Sequence, residues 1–252
     1  MKRILSFAAV LALVLAVFLG FAPKASAAAL DEIEEYRITV GVNTDGTLTM
    51  LYHFDWKVLD STSEGPLSWL RVGIPNGNYV SYKALSSTIS AIDYESNSGS
   101  FLRIDLDRKY YAGEVVTFEF ELVQDYMYEM NRFTEGETYY EFTPGWFDAE
   151  VDKLIIKWDS ENAKSASPAN LLRDGYYTWE TSLDEGETFT VSVVYPNESY
   201  AFDASKTIGG DEDNGGSWYA EPLRSCGGGC GGSSVAGLVM LIAIGSAVLS
   251  SV

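Results

Sequence analysis

One histidine and several acidic pairs are the residues best suited to acid–base chemistry. His53 is the single histidine of the chain, and it shares one face of an alternating segment with Asp55. A nucleophilic hydrolase needs a Ser or Cys nucleophile held against a base that a third group orients. The chain has no Gly-x-Ser-x-Gly motif, and its two cysteines lie far along the sequence, at Cys226 and Cys230. We therefore predict that His53 is a solvated strand residue, and we assign no catalytic residue.

Carboxylate pairs are common in this acidic chain and point only weakly to catalysis. Glu119 and Glu121 share one face of a predicted strand, and a glycoside hydrolase needs two carboxyl groups about 5–10 Å apart across a cleft. A solvated strand face shows the same pattern, so hydrolysis is the less favoured alternative. The run Asp211-Glu212-Asp213-Asn214-Gly215 lacks the spacing of a calcium loop. We predict an acidic linker there, with no metal site and no cofactor in the chain.

The densest aromatic stretch, residues 138–148, is the strongest candidate for ligand binding. Alternation places Tyr139 outward on its strand, and Trp146 and Phe147 follow a Pro-Gly turn that puts at least one of them near a loop tip. Exposed rings of this kind stack on a sugar or anchor a protein partner. The favoured alternative is that the turn folds Trp146 back over the junction between the two predicted domains. Tyr139, Trp146 and Phe147 are the candidate ligand-binding residues.

Two alternating segments open the chain after residue 28. Apolar side chains occupy every second position from Tyr36 to Val42 and from Leu48 to Val58, with Asn43-Thr44-Asp45-Gly46 between them. A period of two is typical of half-buried strands, and glycine supplies the positive φ of a tight turn. The pattern predicts an antiparallel hairpin in which Leu51 is the one apolar residue on the polar face.

Similar alternation continues to residue 195 and predicts an all-β fold. Its segments are Leu70–Ile74, Tyr79–Ala84, Thr88–Tyr94, Leu102–Leu106, Val116–Leu122, Tyr140–Phe142, Leu154–Trp158, Tyr177–Trp179 and Phe189–Tyr195. The pattern breaks between residues 126 and 137, and a Gly-Glu turn precedes the last long strand of each half. We predict two tandem antiparallel immunoglobulin-like (Ig-like) β-sandwich modules, at 28–125 and 138–200, joined by a linker at 126–137. One larger sandwich is the alternative.

The N-terminus predicts secretion. Lys2 and Arg3 precede an apolar run, and Ala25-Ser26-Ala27 has the small-residue pattern of signal peptidase sites, so residues 1–27 form a predicted signal peptide. Cleavage leaves 14 Lys and Arg against 36 Asp and Glu, a net charge of −22. Because phosphate binding requires clustered cations, this charge argues against a nucleic-acid partner.

The C-terminal tail predicts that the protein is anchored in a membrane. Residues 201–234 form a predicted linker, acidic and then rich in Gly and Cys, before 18 uncharged residues at 235–252. That length reaches the lower limit of a transmembrane helix, so we predict a single span whose partner is the lipid bilayer. Cys226 and Cys230 have three interpretations, which are a spacer without a set partner, a disulfide loop, and acylation beside the membrane.

Several of these features occur together in one group of proteins. The opening hairpin Tyr36-x-Ile38-x-Val40-x-Val42-Asn43-x-Asp45-Gly46, the segment Val151-Asp152-Lys153-Leu154 and the Gly/Cys tail resemble predicted membrane proteins of Gram-positive bacteria. In that group a β-sandwich ectodomain precedes a membrane region. The resemblance implies no catalytic residue. We therefore predict a bacterial single-pass membrane protein with an extracytoplasmic body, no enzymatic activity, and a structural or interaction role at the cell envelope. The alternative is a carbohydrate- or cell-wall-binding module.

Overall fold

The computed structural model describes residues 29–96, 99–145 and 147–210, and this part of the chain is all-β, as predicted. Its strands are β1 (Asp31–Val42), β2 (Leu48–Val58), β3 (Leu67–Gly73), β4 (Tyr79–Ala84), β5 (Ile89–Glu95), β6 (Phe101–Tyr110), β7 (Val115–Gln124), β8 (Tyr128–Met130), β9 (Glu137–Phe142), β10 (Glu150–Asp159), β11 (Ser165–Ser167), β12 (Leu171–Arg173), β13 (Tyr176–Leu183) and β14 (Val191–Pro196). Each long segment of the sequence alternation falls on one of these strands.

A seven-stranded sheet is the frame of the molecule. Its strand order is β12-β13-β10-β1-β2-β7-β4. The predicted hairpin forms its centre, where β1 and β2 pair antiparallel from Asp31↔Val58 to Val42↔Leu48. On its other side β1 pairs with β10 in parallel, with Tyr36 opposite Leu154 and Ile38 opposite Ile156. The sheet is therefore mixed, with one parallel pair among antiparallel neighbours.

Aromatic rings cover the inner face of this sheet. Tyr36 stacks on Phe54 with the ring centroids 4.3 Å apart, and Phe54 stacks on Phe118 at 4.9 Å. In the next row Tyr52 stacks on Phe120 at 4.7 Å. These rings lie on neighbouring strands because the register places Tyr52 opposite Phe120 and Phe54 opposite Phe118. Each such pair adds about 0.5–1.5 kcal/mol to the burial of its apolar area.

Two smaller sheets contribute to the same core. One has four strands in the order β11-β14-β9-β8, and the other has three in the order β3-β6-β5. Buried side chains of all three sheets form one hydrophobic cluster. The loop after β9 approaches the end of β3 closely, since a Cβ on Gly145 would lie 2.8 Å from the carbonyl oxygen of Gly73. Glycine is required there because any side chain would push the two backbones apart.

Strands from both predicted modules lie side by side. The prediction placed β1 and β10 in separate modules, but they are hydrogen-bonded neighbours in the seven-stranded sheet. The predicted linker 126–137 contains β8, and Met127 and Tyr128 within it are buried. From the sequence, residues 126–130 could be a helical turn or an edge segment, and the structure shows the edge strand β8 there.

The folded body also extends past the predicted boundary at residue 200. Phe202 packs against Tyr128 with ring centroids 5.0 Å apart, and Lys206 pairs with Asp125 at 2.7 Å. The amide of Gly209 donates a hydrogen bond to the carbonyl oxygen of Tyr126 at 2.9 Å. The first ten residues of the predicted linker, 201–210, therefore pack on the body.

Several predictions fall on residues that the structure does not describe. The predicted signal peptide, Trp146, Cys226, Cys230 and the predicted transmembrane segment 235–252 all lie outside the described ranges. Among the residues that are described, none belongs to a helix with the length and apolar character needed to span a bilayer.

Candidate functional site

A pair of aromatic rings, one exposed and one half-buried, lies at the outer face of the four-stranded sheet. Phe133 lies in the hairpin loop between β8 and β9 and is 71% exposed, the largest exposed fraction among the described large apolar residues. Its ring meets the half-buried Tyr139 of β9 edge to face, at 4.8 Å and 88°. We call Arg132, Phe133, Tyr139 and Glu141 together the Phe133–Tyr139 surface.

The loop that carries Phe133 is fixed by hydrogen bonds. The amide of Asn131 donates to the carbonyl oxygen of Glu137 at 2.7 Å, and the amide of Gly136 donates to the Asn131 side chain at 2.8 Å. Asn131 and Gly136 both have positive φ, at 56° and 84°, which Asn and Gly adopt at low cost. Asn197 ties the loop to the end of β14 by donating a 2.9 Å hydrogen bond to Asn131. The loop therefore presents Phe133 from a defined position.

Charged side chains flank the two rings. The guanidinium of Arg132 lies 5.2 Å from the ring centroid of Phe133 and 5.5 Å from that of Tyr139, within cation–π range. Arg132 also pairs with Glu129 at 3.4 Å. On the other side the Tyr139 hydroxyl donates to a carboxylate oxygen of Glu141 at 3.0 Å. The surface thus combines two apolar ring faces with a cation and an acceptor.

The Tyr139 hydroxyl is held as a neutral donor. Burial is the largest influence and raises the pKa of Tyr139 above its ordinary value. A hydrogen bond with Ser192 opposes this effect, and the neighbouring Glu141 carboxylate adds to it. At neutral pH the hydroxyl keeps its proton, so the group donates a hydrogen bond and carries no charge.

The arrangement can bind a ligand by stacking and hydrogen bonding. An exposed ring face packs on an apolar surface such as the C–H face of a sugar or a side chain of a protein partner. Glu141 accepts hydrogen bonds, whereas Arg132 donates them from a planar group. These groups can hold a ligand by stacking and hydrogen bonding, and their arrangement does not indicate a bond-breaking step.

Of the three predicted ligand-binding residues, the structure places Tyr139 on this surface and Phe147 in the core. Phe147 is 2% exposed, and its ring meets Tyr36, Phe54 and Trp56 edge-on at 5.6, 5.8 and 5.4 Å. The turn at Gly145 directs this ring inward, so no face of Phe147 is open to a ligand. Trp146 lies outside the described residues.

Phe133 and Arg132 were not predicted as site residues. The available signal was a lone phenylalanine within the otherwise polar turn Asn131-Arg132-Phe133-Thr134-Glu135-Gly136. Its contact with Tyr139 depends on how the hairpin folds back, so alternation alone does not reveal the pair.

A second cluster surrounds His53 on the outer face of the seven-stranded sheet. The Nδ1 atom of His53 lies 2.9 Å from Glu119, while Nε2 lies 3.5 Å from Asp55 and 4.0 Å from Glu35. The His53 side chain is only 13% exposed, so the prediction of a solvated residue is wrong. Cross-strand register is the reason, because it places His53 directly opposite Glu119.

The predicted carboxylate pair belongs to this face. Glu119 contacts His53 as described, and Glu121 pairs with Lys83 at 2.9 Å. Both carboxylates therefore have partners on neighbouring strands. In the described part of the chain, no three or more His, Cys, Asp and Glu side chains are grouped so that they could hold a metal ion.

Comparison with known proteins gives distant structural likenesses only. No protein-family model matches the sequence, and no curated protein matches it either. A structure of yeast LTA4 hydrolase in complex with bestatin is similar with a TM-score of 0.46 and 10% identity, over 71% of this chain and 32% of that chain. A crystal structure of an M1 zinc metallopeptidase from Deinococcus radiodurans is similar with a TM-score of 0.39 and 10% identity, over 68% of this chain and 43% of that chain.

This chain spans less than half the length of the solved chains it resembles. At this distance the likenesses carry no argument about its activity, substrates or partners. The functional argument therefore depends on the geometry of the Phe133–Tyr139 surface.

Proposed function

We propose that this chain is an extracytoplasmic binding protein of the bacterial cell envelope, held at the membrane by a single span at 235–252. The observation that supports a binding role is the Phe133–Tyr139 surface, where a 71% exposed ring is fixed by a hydrogen-bonded loop beside charged groups. Leaving such a ring in water has a free-energy cost that a bound partner removes. We also propose that residues 29–210 form one β body and not two tandem modules, because β1 and β10 share a sheet.

The location is tested with the full chain in a Gram-positive host. We expect a tagged chain to fractionate with the membrane and its body to be digested when protease is added to intact protoplasts. A matched chain in which Leu11, Leu13 and Leu15 are replaced by aspartate should lose export, because the apolar run of the predicted signal peptide is broken. Recovery of the unaltered chain in the soluble cytoplasmic fraction would refute the location.

A second candidate is that the partner is a carbohydrate of the cell wall. The specific observation is the combination of the Tyr139 ring with the Glu141 carboxylate, which accepts hydrogen bonds beside a surface that stacks. A sugar presents a C–H face, which can stack on the Tyr139 ring, and hydroxyl groups, which can donate hydrogen bonds to the Glu141 carboxylate.

The carbohydrate proposal is tested by binding of the full chain, in detergent, to purified wall polysaccharide. We expect Phe133→Ala and Tyr139→Ala each to weaken binding about tenfold, as loss of a central aromatic contact does. Tyr111→Ala is the matched control, because Tyr111 is 53% exposed and lies in another turn. Equal binding by all four proteins, or binding by none, would remove the carbohydrate from consideration.

A further inference from the structure

One carboxylate of the Phe133–Tyr139 surface has no cation beside it. Glu141 accepts a hydrogen bond from the Tyr139 hydroxyl at 3.0 Å. The ion pairs formed within the described ranges include no lysine, arginine or histidine bound to Glu141. A carboxylate has about four acceptor positions, so Glu141 keeps the capacity to bind further donors.

The two cations nearest to this surface are already paired. Arg132 lies 3.4 Å from Glu129, and Lys164 forms an ion pair with Glu137. Glu137 and Glu141 lie on the same outer face of β9, because the buried residues of that strand alternate with them. Since each of the two cations has its own carboxylate, neither offsets the charge of Glu141.

The free carboxylate lies within reach of a ligand that contacts the rings. Tyr139 and Glu141 are two residues apart on β9, and such residues share a face at a spacing of about 7 Å. Ser192 lies opposite Glu141 on β14, and its hydroxyl forms a hydrogen bond with Tyr139. A sugar ring that packs against Phe133 and Tyr139 therefore places one of its substituents near Glu141.

We propose that this surface selects a polysaccharide of amino sugars whose amino groups are free, with one ammonium group bound by Glu141. The proposal rests on the binding function proposed above and names the class of ligand. The C–H face of the sugar packs on Phe133 and Tyr139, and the ammonium group donates to the carboxylate. A hydrogen bond between charged groups is roughly twice as strong as one between neutral groups, so charge adds selectivity to stacking.

Anionic and neutral polysaccharides fit the same surface less well. A phosphodiester or uronic-acid polymer would bring negative charge to Glu141 and to the exposed Glu135, on a chain with a net charge of −19. Arg132 does not compensate, because it is already paired with Glu129. An N-acetylated amino sugar offers one amide N–H and no charge, whereas an ammonium group offers three donors. The free amino group is therefore the feature that this surface distinguishes.

Two hexasaccharides that differ only in N-acetylation are the probes. They are the β-1,4-linked hexamers of glucosamine and of N-acetylglucosamine. The full chain, purified in detergent, is titrated with each by calorimetry at a mildly acidic pH, where the amino groups are protonated. We expect the glucosamine hexamer to bind at least about tenfold more tightly, because its ammonium group makes a charge-assisted hydrogen bond.

Two glutamate variants test whether Glu141 is the source of this preference. Glu141→Gln removes the charge and keeps an acceptor for the Tyr139 hydroxyl, so the preference should fall below about threefold. Glu64→Gln is the matched control, because Glu64 is exposed in the loop between β2 and β3 and its replacement changes the net charge equally. This control should keep the tenfold preference. Unchanged thermal denaturation would show that both variants are folded.

A third variant separates stacking from charge. Phe133→Ala should weaken the binding of both hexamers about tenfold and leave their ratio unchanged, because the two sugars have the same C–H face. A change in the ratio belongs to Glu141, and a parallel loss of both affinities belongs to the ring.

Three outcomes would overturn the proposal. The first is equal affinity for the two hexamers, and a loss of both on Phe133→Ala would then still support carbohydrate binding. The second is a preference that survives Glu141→Gln or that Glu64→Gln reduces as much, because the cause would then be diffuse attraction to an acidic chain. The third is that neither hexamer binds. In that case, binding to purified wall polysaccharide in the same assay would show that carbohydrate binding survives without the ammonium group.

Discussion

The two small sheets contribute to one core. They differ in how far the aromatic rings on their outer sides are exposed. In the three-stranded sheet the guanidinium of Arg103 lies 4.3 Å from the ring centroid of Trp69, which is only half-exposed. At the four-stranded sheet, Phe133 in the loop between β8 and β9 contacts the outward Tyr139 and is 71% exposed. Both surfaces contain aromatic, Arg and acidic residues, so composition does not explain the difference.

The difference in exposure depends on whether the ring lies on a strand or in a loop. Trp69 and Arg103 lie on adjacent strands, and Arg103 is also bound to Asp105 at 2.8 Å, so the cation is held over the ring. Arg71 on the same face is paired with Glu95 at 2.6 Å. Phe133 instead lies in a hairpin loop, where no neighbouring strand covers it. An adjacent strand supplies a partner for an outward aromatic residue of a sheet, whereas a loop tip leaves its ring uncovered.

The largest expected effect separates the core ring from the loop ring. Phe147→Ala should lower the free energy of unfolding by about 3–5 kcal/mol, because it removes a buried ring among Tyr36, Phe54 and Trp56. Phe133→Ala should change it by less than about 0.5 kcal/mol. Urea denaturation followed by tryptophan fluorescence measures both. Comparable losses for the two variants would show that Phe133 is structural.

The close approach of Gly145, in the loop after β9, to Gly73 at the end of β3 is tested next. Gly145→Ala would place a Cβ 2.8 Å from the Gly73 carbonyl oxygen, so we expect a loss of about 1–3 kcal/mol in the free energy of unfolding. Gly41→Ala is the control, because a Cβ there meets nothing within 4 Å. It should be neutral or stabilising by about 0.5–1 kcal/mol, since alanine costs less entropy than glycine in a strand. Thermal denaturation of both variants decides whether the close approach is required.

Trp69 should show a measurable interaction energy with Arg103, which lies over its ring. A double-mutant cycle with Trp69→Leu and Arg103→Met should give a coupling energy of about 0.5–1 kcal/mol, from the cation–π contact at 4.3 Å. The equivalent cycle with Phe133→Leu and Arg132→Met should give less, because Arg132 is farther away, at 5.2 Å. A larger coupling in the loop pair would reverse the comparison between the two surfaces.

The smallest effect concerns acid stability where the four-stranded sheet touches the β1–β2 turn. The Tyr140 hydroxyl donates to the carbonyl oxygen of Gly46 at 2.7 Å, and the Thr47 hydroxyl donates to Asp45 at 2.7 Å. The hydrogen bond from Thr47 is the main reason that the pKa of Asp45 is lowered. The ionised carboxylate is thus favoured in the folded state, so its contribution is fully present above the unfolded pKa of about 3.9 and is lost as pH falls through the lower pKa of the folded state.

Asp45→Asn tests this contribution. Between pH 5 and pH 2 the variant should lose less stability than the wild type, by under about 1 kcal/mol, because Asp45 is solvent-exposed and its interactions are screened. Urea midpoints measured at several pH values give the difference. An equal or greater loss in the variant would contradict the assigned role of the carboxylate.

Strand positions were predictable because alternation is a local property. From Leu48 to Val58 every second residue is buried, and Leu51, the predicted exception on the polar face, is 36% exposed. Tyr139 was predicted outward by the same rule and lies on the outer face of its sheet. Phe147 lies after a turn, where no period applies, and its ring packs edge-on against Tyr36, Phe54 and Trp56.

By itself, the sequence determined the all-β class, the long strands and which side of each of them faces the core, because a period of two fixes side-chain direction residue by residue. Only the tertiary structure decided that β1 pairs with β10 across more than a hundred residues, and that Phe133 meets Tyr139. The physical reason is that the alternation within a strand specifies which face is buried but not which strand lies beside it. The neighbouring strand is selected by the packing of the whole core.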